Sequence, residues 1–311
     1  VAAVHLVPGL GMAAPLRLLL RSGRGRVRRV PGAAGVGSRA ASGAAERPVA
    51  LAHTVLNGRS TETPLVFLHG LFGSKSNFQS IGRAVVQRSG RTVVTVDCRN
   101  HGDSGHSPVM TFEAMSHDVQ KLLDTLRLPE CVLLGHSLGG KIAMVTALLR
   151  PQVVQKLIVV DVSPRTVAGS SSISQYISAM QAVALDSSLP LSAVRSQAEQ
   201  QLQSHIKEAA VRQFILSNLV EEDGQYRWKM NLEAILNHLG DLLGFPEFHT
   251  SYTGPTLFLG GEKSKYIGTK DLPEISRLFP NSTVQYIAGA GHWIHAEKPQ
   301  DFINSICKFL A

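Results

Sequence analysis

Between Leu133 and Met144 the chain reads LLGHSLGGKIAM, and two chemistries overlap in it. Gly135 and Gly140-Lys141 have the spacing of a phosphate-binding loop, but such a loop needs Ser or Thr after its lysine to hold Mg²⁺, and Ile142 stands there. No second acidic metal site lies in register, so nucleotide binding is set aside. Gly135-x-Ser137-x-Gly139 has instead the spacing of a sharp strand-to-helix turn that presents a serine hydroxyl above a sheet. The flanking glycines remove side chains that would collide in that turn and let Ser137 take a strained backbone. A helix beginning at Leu138 adds partial positive charge where an oxyanion would form. This is the arrangement of a serine that attacks a carbonyl, and such a serine needs a base.

The base is expected after the last strand. There Ala288-Gly289-Ala290-Gly291-His292-Trp293-Ile294-His295 places His292 at the tip of a glycine-rich loop. His295, its competitor, borders the approach to the final helix and is expected to face outward or to satisfy a backbone group. An oxyanion hole needs a second backbone N–H near the end of an earlier strand, and His69-Gly70-Leu71-Phe72-Gly73-Ser74 follows the apolar run Leu65–Leu68. The N–H groups of Leu138 and of Leu71 (or Phe72) are the expected donors, each worth ~3 kcal/mol in a typical site. His69 is expected to hold the loop together.

These residues require a scaffold of parallel strands. Val49–Asn57 alternates loosely like a strand and ends in Asn57-Gly58, a hairpin signal. Leu65–Leu68, Thr92–Val96, Cys131–Leu134 and Leu157–Val160 read as short buried strands. Helical patterns separate them at 77–88, from Thr111 onward and at 138–149. That alternation with short connections implies a mostly parallel sheet covered by helices. Residues 165–250 then contain no convincing strand and several helical stretches, such as Ile206–Leu219. Strand Thr256–Leu259, a helix near Leu272–Leu278, strand Thr283–Ile287 and helix Pro299–Leu310 restore the pattern. We read 48–311 as one α/β domain with 165–250 as a helical cap inserted into it.

Composition narrows the function classes. The chain has 311 residues, 44% hydrophobic and 17% charged, as an ordinary globular protein does. Its net charge of +8 is local: eight of the 31 basic residues but only one of the 23 acids fall in residues 1–47. The remaining 23 basic and 22 acidic residues nearly cancel, which argues against a nucleic-acid surface on the body. The first 47 residues, rich in Arg, Ala, Gly and Ser, have the composition of a mitochondrial transit peptide. Cys98, Cys131 and Cys307 are far apart and odd in number, which fits neither a disulfide framework nor a zinc site. No run of 18 apolar residues occurs, so no membrane-spanning helix is expected.

LVFLHGLFGS, TVDCRNHGDS, GHSLGG and AGAGHWIHAEKP, in this order and spacing, resemble the α/β-hydrolase superfamily over about residues 49–311, with small bacterial esterases among the likenesses. The resemblance implies an eight-stranded sheet, Ser–acid–His catalysis and no cofactor. It also implies a structural role for Arg99 and Asp103, which match the family's D-x-R-x-x-G-x-S loop. The family's usual acid position, in a G-x-x-D arrangement, is occupied here by Ser264. Glu262 stands two residues early and reads as a surface residue. Asp161, which ends Leu157–Val160 on the correct edge of the sheet, is the expected acid, and Glu233 in Met230–Ala234 is the alternate. Either would hold the imidazole tautomer rather than take a proton.

Dehalogenases and epoxide hydrolases of this fold use an aspartate nucleophile, and Ser137 excludes both. What remains is acyl transfer to water, with Tyr176, Met180, Phe214, Trp228 and Met230 of the cap available to line an apolar pocket. The resemblance implies a serine esterase or lipase acting on acylglycerol-like lipids, located in the mitochondrial matrix. It also raises a role of another class, as a binding or protective partner of the 2-oxoglutarate dehydrogenase complex.

Overall fold

The structure is a computed structural model that describes residues 47–166 and 170–311. The predicted targeting segment, apart from Arg47, lies outside the described residues. The first part of the chain alternates strand and helix: β1 (His53–Leu56), β2 (Leu65–Leu68), α1 (Gln79–Ser89), β3 (Val93–Val96), α2 (Phe112–Leu126), β4 (Cys131–His136), α3 (Leu138–Leu149) and β5 (Val154–Val160). Helices α4 (Ser170–Ala182), α5 (Leu191–Gln203) and α6 (Ala209–Leu216) follow, then strands β6 (Leu219–Glu222) and β7 (Gln225–Trp228), then α7 (Leu232–Asn237) and α8 (Leu239–Leu243). The chain returns to the sheet with β8 (Thr256–Gly261), α9 (Leu272–Leu278), β9 (Ser282–Ile287), α10 (Ile294–Glu297) and α11 (Pro299–Leu310).

Seven strands, not the eight expected, form the main sheet among the described residues, in the order β1-β3-β2-β4-β5-β8-β9. Only β1 is antiparallel to its neighbour. Asn57-Gly58 does not close a hairpin, because β1 pairs with β3 while β2 lies on the far side of β3. Gly58 is needed for a close approach instead: a Cβ there would lie 2.0 Å from the Gly90 carbonyl oxygen. The strand-free reading of 165–250 is also corrected. β6 and β7 form an antiparallel ribbon turned by Asp223 and Gly224, both at positive φ. Its strands are half-buried to exposed apart from Leu219 and only four residues long, so they carry little of the hydrophobic alternation that marks a strand.

Leu65–Leu68, Val93–Val96 and Cys131–His136 are buried at every position, because helices cover both faces of the sheet. Alternate residues point to opposite faces. Leu65, Phe67, Val132, Leu134, Ile158 and Val160 pack against Phe78, Ile81, Phe302 and Ile306, from α1, α11 and the turn before α1. Val66, Leu68, Leu133, Leu157 and Val159 share the other core with residues of α2, α3 and the segment between β5 and β8. Helix α2 starts where expected, with the Thr111 side chain accepting from the Ala114 N–H.

The strand order locates the site. After β2 the chain crosses to β3 on one side, and after β4 it crosses to β5 on the other, while β2 and β4 are neighbours. Ligands of open α/β sheets bind where connections part in this way, beyond the carboxyl ends of the strands. The loop at Leu71 and the turn at Ser137 both leave from that point.

Candidate active site

Ser137 joins β4 to α3 with φ 52° and ψ −116°, a conformation that a side-chain-bearing residue holds only when its surroundings enforce it. The enforcement is close packing. A Cβ on Gly135 would lie 2.0 Å from the Gly139 carbonyl oxygen, and one on Gly139 would lie 2.3 Å from that of Leu68. The Ser137 N–H donates to Val160 O at 2.9 Å, tying the turn to the end of β5. Its hydroxyl makes no side-chain hydrogen bond among the described residues and lines a cavity of about 270 Å³.

His292 lines the same cavity. Its Nδ1–H donates to Asp161 Oδ2 at 2.7 Å. Asp161 is fully buried at the end of β5, with φ 50°, and its carboxylate has further donors: Gly261 N–H on Oδ1 at 3.0 Å and Ser264 Oγ–H on Oδ2 at 2.5 Å. Ser264, in the position where the family's acid was expected, thus donates to a carboxylate that comes from the neighbouring strand. With Nδ1 donating to Asp161, Nε2 is the ring nitrogen left to take a proton. The ring is held by stacking on Tyr266, with centroids 4.1 Å apart, and by His136, whose Nε2–H donates to the His292 carbonyl at 2.9 Å. Burial, reinforced by the neighbouring His292 and His295, holds the His136 pKa well below its usual value, so that ring is neutral.

Glu233 is not brought to His292. It is exposed in the first turn of α7. Glu262 is exposed too and accepts the Gly289 N–H at 2.7 Å, which helps to shape the loop carrying His292. The opposite side of that loop is fixed by Glu297, accepting from the N–H groups of Gly291 and Trp293 at 2.7 and 3.2 Å.

The backbone N–H groups of Leu71 and Leu138 have no hydrogen-bond partner among the described residues, and both residues border Ser137 in a smaller adjoining cavity. Phe72, the alternative to Leu71, is engaged: its N–H donates to His101 Nε2 at 3.3 Å. The loop itself is built on two buried histidines. His69 takes the Cys98 N–H on Nε2 and gives its Nδ1–H to Gly70 O, as a loop-holding residue should. His101 gives Nδ1–H to Arg99 O, and burial lowers its pKa to about 3.

His295 does not face outward. It is buried against Phe78 and His136, with ring centroids 4.6 and 4.8 Å away, and borders the larger cavity; burial lowers its pKa to about 4. It is the second residue of the four-residue helix α10, too short to show a periodicity, so only the tertiary packing reveals its surroundings. Of the five cap residues considered for a pocket, Tyr176 and Phe214 line the larger cavity. Met180 and Met230 are core, and Trp228 packs beside them, giving its indole N–H to Met180 O at 2.9 Å. Sequence reasoning missed Tyr266, which sits in a polar loop without periodicity. Arg99 forms a buried pair with Asp118, its Nε 2.5 Å from Oδ2, and Asp103 bridges Lys75 and Lys229, so both fix loops as the family resemblance implies.

Ser137 and His292 thus share the wall of one cavity, and the Leu71 and Leu138 N–H groups border Ser137 in the adjoining one. No His/Cys/Asp/Glu group among the described residues could hold a metal, and no helix there is long and apolar enough to cross a membrane.

A family model described as alpha/beta hydrolase fold matches residues 63–299. The "sn-1-specific diacylglycerol lipase ABHD11" of Danio rerio is 56% identical over 85% of this chain and 83% of its own length. A "putative esterase/lipase" of Haemophilus influenzae is 36% identical over 81% of this chain and 85% of its own. Among solved structures, a marine microorganism esterase superposes with TM-score 0.78 and 33% identity, covering 84% of this chain and 99% of that one.

Proposed function

The chain belongs to the α/β-hydrolase family and is a carboxylic ester hydrolase of the lipase and esterase type, and from that premise we propose that it cleaves acylglycerol-type esters through an acyl-enzyme on Ser137. The observation that carries this reading is the 2.7 Å contact between His292 Nδ1 and buried Asp161, made at the cavity that also exposes Ser137.

Ser137 Oγ attacks the ester carbonyl carbon while its proton passes to His292 Nε2. The carbonyl oxygen takes negative charge and is met by the Leu71 and Leu138 N–H groups. The imidazolium then gives its proton to the alcohol oxygen as the C–O bond breaks, leaving the acyl group on Ser137. Water enters, loses a proton to His292 and attacks the acyl carbon. Ser137 recovers the proton as the acid departs. Asp161 holds the Nδ1–H tautomer and stabilises the imidazolium without becoming protonated.

Two features support a lipid ester. The Danio rerio relative carries the name of a diacylglycerol lipase, and Ile173, Tyr176, Val211, Phe214 and Trp293 give the larger cavity an apolar wall. The same reading places the enzyme in mitochondria, on the composition of residues 1–47; a fluorescent fusion of that segment tests the location. The chemistry is tested with a fluorophosphonate probe and a diacylglycerol of short acyl chains. Labelling and release of fatty acid by the wild type, both abolished in Ser137→Ala, are expected. A folded wild type that neither labels nor hydrolyses would overturn the assignment.

A further inference from the structure

Two cavities share Ser137. The larger, about 270 Å³, also reaches His292, Trp293, Phe214 and Tyr176. The smaller, about 50 Å³, is lined by Leu138, Lys141, Val162, Leu239 and Leu242, and His292 is not among its walls. The chemistry assigns their occupants. A departing alcohol must receive its proton from His292, so its oxygen lies against that ring and the alcohol extends into the larger cavity. The acyl carbon remains on Ser137 with its oxygen on the Leu71 and Leu138 N–H groups. Both of those residues border the smaller cavity, and only Leu71 borders the larger. The acyl chain therefore points into the smaller one.

Lys141 is an unusual wall for an acyl chamber. It lies one helical turn after Ser137, on the same side of α3, and is 2% exposed. Its ammonium donates to the carbonyls of Leu243 and Gly244 at 2.7 and 2.6 Å, with Leu242 O at 3.4 Å. These are carbonyls at the C-terminal end of α8, which have no partner within the helix. Were the side chain to swing aside, the part-buried carbonyls of Leu243 and Gly244 would lose their donor, which is costly. Leu242 and Leu243 are themselves walls of the chamber, so the lysine fixes two sides of it at once.

Resting on the serine-esterase reading of Ser137, we propose that Lys141 sets the acyl-length limit of this enzyme by closing the smaller cavity behind the serine. A volume of about 50 Å³ admits roughly four water-sized groups at about 10–15 Å³ each, which corresponds to acyl groups from acetyl to butyryl. A larger apolar alcohol is accommodated on the His292 side.

The test is a chain-length profile with p-nitrophenyl esters from two to twelve carbons, run beside fluorophosphonate labelling of every variant. In the wild type, kcat/KM is expected to peak at two to four carbons and to fall at least tenfold by eight. Lys141→Met is expected to raise the eight-to-four-carbon ratio at least tenfold, since each accommodated methylene is worth about fourfold. Leu239→Ala widens the same chamber without touching the lysine, and is expected to move the ratio in the same direction should Lys141→Met fail to fold. Phe214→Ala is expected to change the preference among alcohol groups and leave the ratio unmoved. An unchanged ratio in labelled Lys141→Met or Leu239→Ala, or a ratio that moves only in Phe214→Ala, overturns the proposal. Wild-type protein that does not label would defeat the serine-esterase reading itself, a result distinguishable from a failure of Lys141 alone.

Discussion

Asp161 and His292 are 131 positions apart in the chain, yet Nδ1 and Oδ2 lie 2.7 Å from one another. The pairing crosses a strand. Asp161 leaves β5, while the loop of His292 follows β9, with β8 between them. Gly261 and Ser264 bridge this distance: one ends β8, the other follows it, and both donate to the carboxylate.

Asp161→Asn keeps the shape but offers an amide where His292 needs an acceptor, favouring the wrong tautomer. In the serine triad such a change costs about 10⁴-fold in kcat. A loss of that order is expected with a thermal midpoint near that of the wild type, whereas Glu233→Gln should retain full activity. Steady-state rates on a short ester decide between them; a reversed pattern would return the acid to α7.

The strained backbone of Ser137 yields a prediction about stability. A non-glycine residue at φ 52° carries a cost of order 1–3 kcal/mol that glycine does not. Ser137→Gly and Ser137→Ala should both lose labelling, but the glycine variant should be about 1 kcal/mol more stable in denaturant unfolding. Equal stabilities would mean that the turn holds no strain.

Much of this site was legible because its signals are local. Gly135-x-Ser137-x-Gly139 must sit between a strand and a helix for steric reasons, and a run of apolar residues on each side said so. Asp161 was legible for a related reason, as a charge ending a fully apolar run. What escaped depended on contacts between distant segments. Tyr266 acquires its role only by stacking on His292, and His295 is buried only because Phe78 and Phe302 come to meet it. The β6–β7 ribbon was hidden because its strands are short and lack a buried alternate face, and Asn57-Gly58 misled because its glycine serves a close approach rather than a hairpin.

The Arg99–Asp118 pair should matter for folding rather than turnover. Both side chains are essentially without exposure, and Arg99 also donates to Val109 O and Ala114 O at 2.7 and 3.2 Å. Removing one member of such a pair strands the other in a low-dielectric interior, typically at 3–5 kcal/mol. Arg99→Met should therefore unfold at markedly lower denaturant, by about that amount, while its folded fraction labels normally. A stable variant with impaired labelling would instead put Arg99 in the chemistry.

Acid should destabilise the fold through its buried histidines. His69, His101, His136 and His295 all have pKa values lowered chiefly by burial, to about 3 for His101 and about 4 for His295. In the unfolded chain each would titrate near 6.5. Below that pH the unfolded state binds protons that the folded state refuses, so stability is fully present above about pH 6.5 and declines as the pH falls toward the folded values. For His295 alone, a shift from 6.5 to about 4 corresponds to roughly 3 kcal/mol once the lower value is passed. His295 faces the rings of His136 and His292, and its ring also meets Phe78 and Phe302, so a phenyl group suits the surroundings. His295→Phe should thus flatten part of the decline between pH 6.5 and 4 while leaving the midpoint at pH 8 close to that of the wild type. Thermal unfolding followed across that range measures both slopes, and identical slopes would show that His295 is not among the groups responsible.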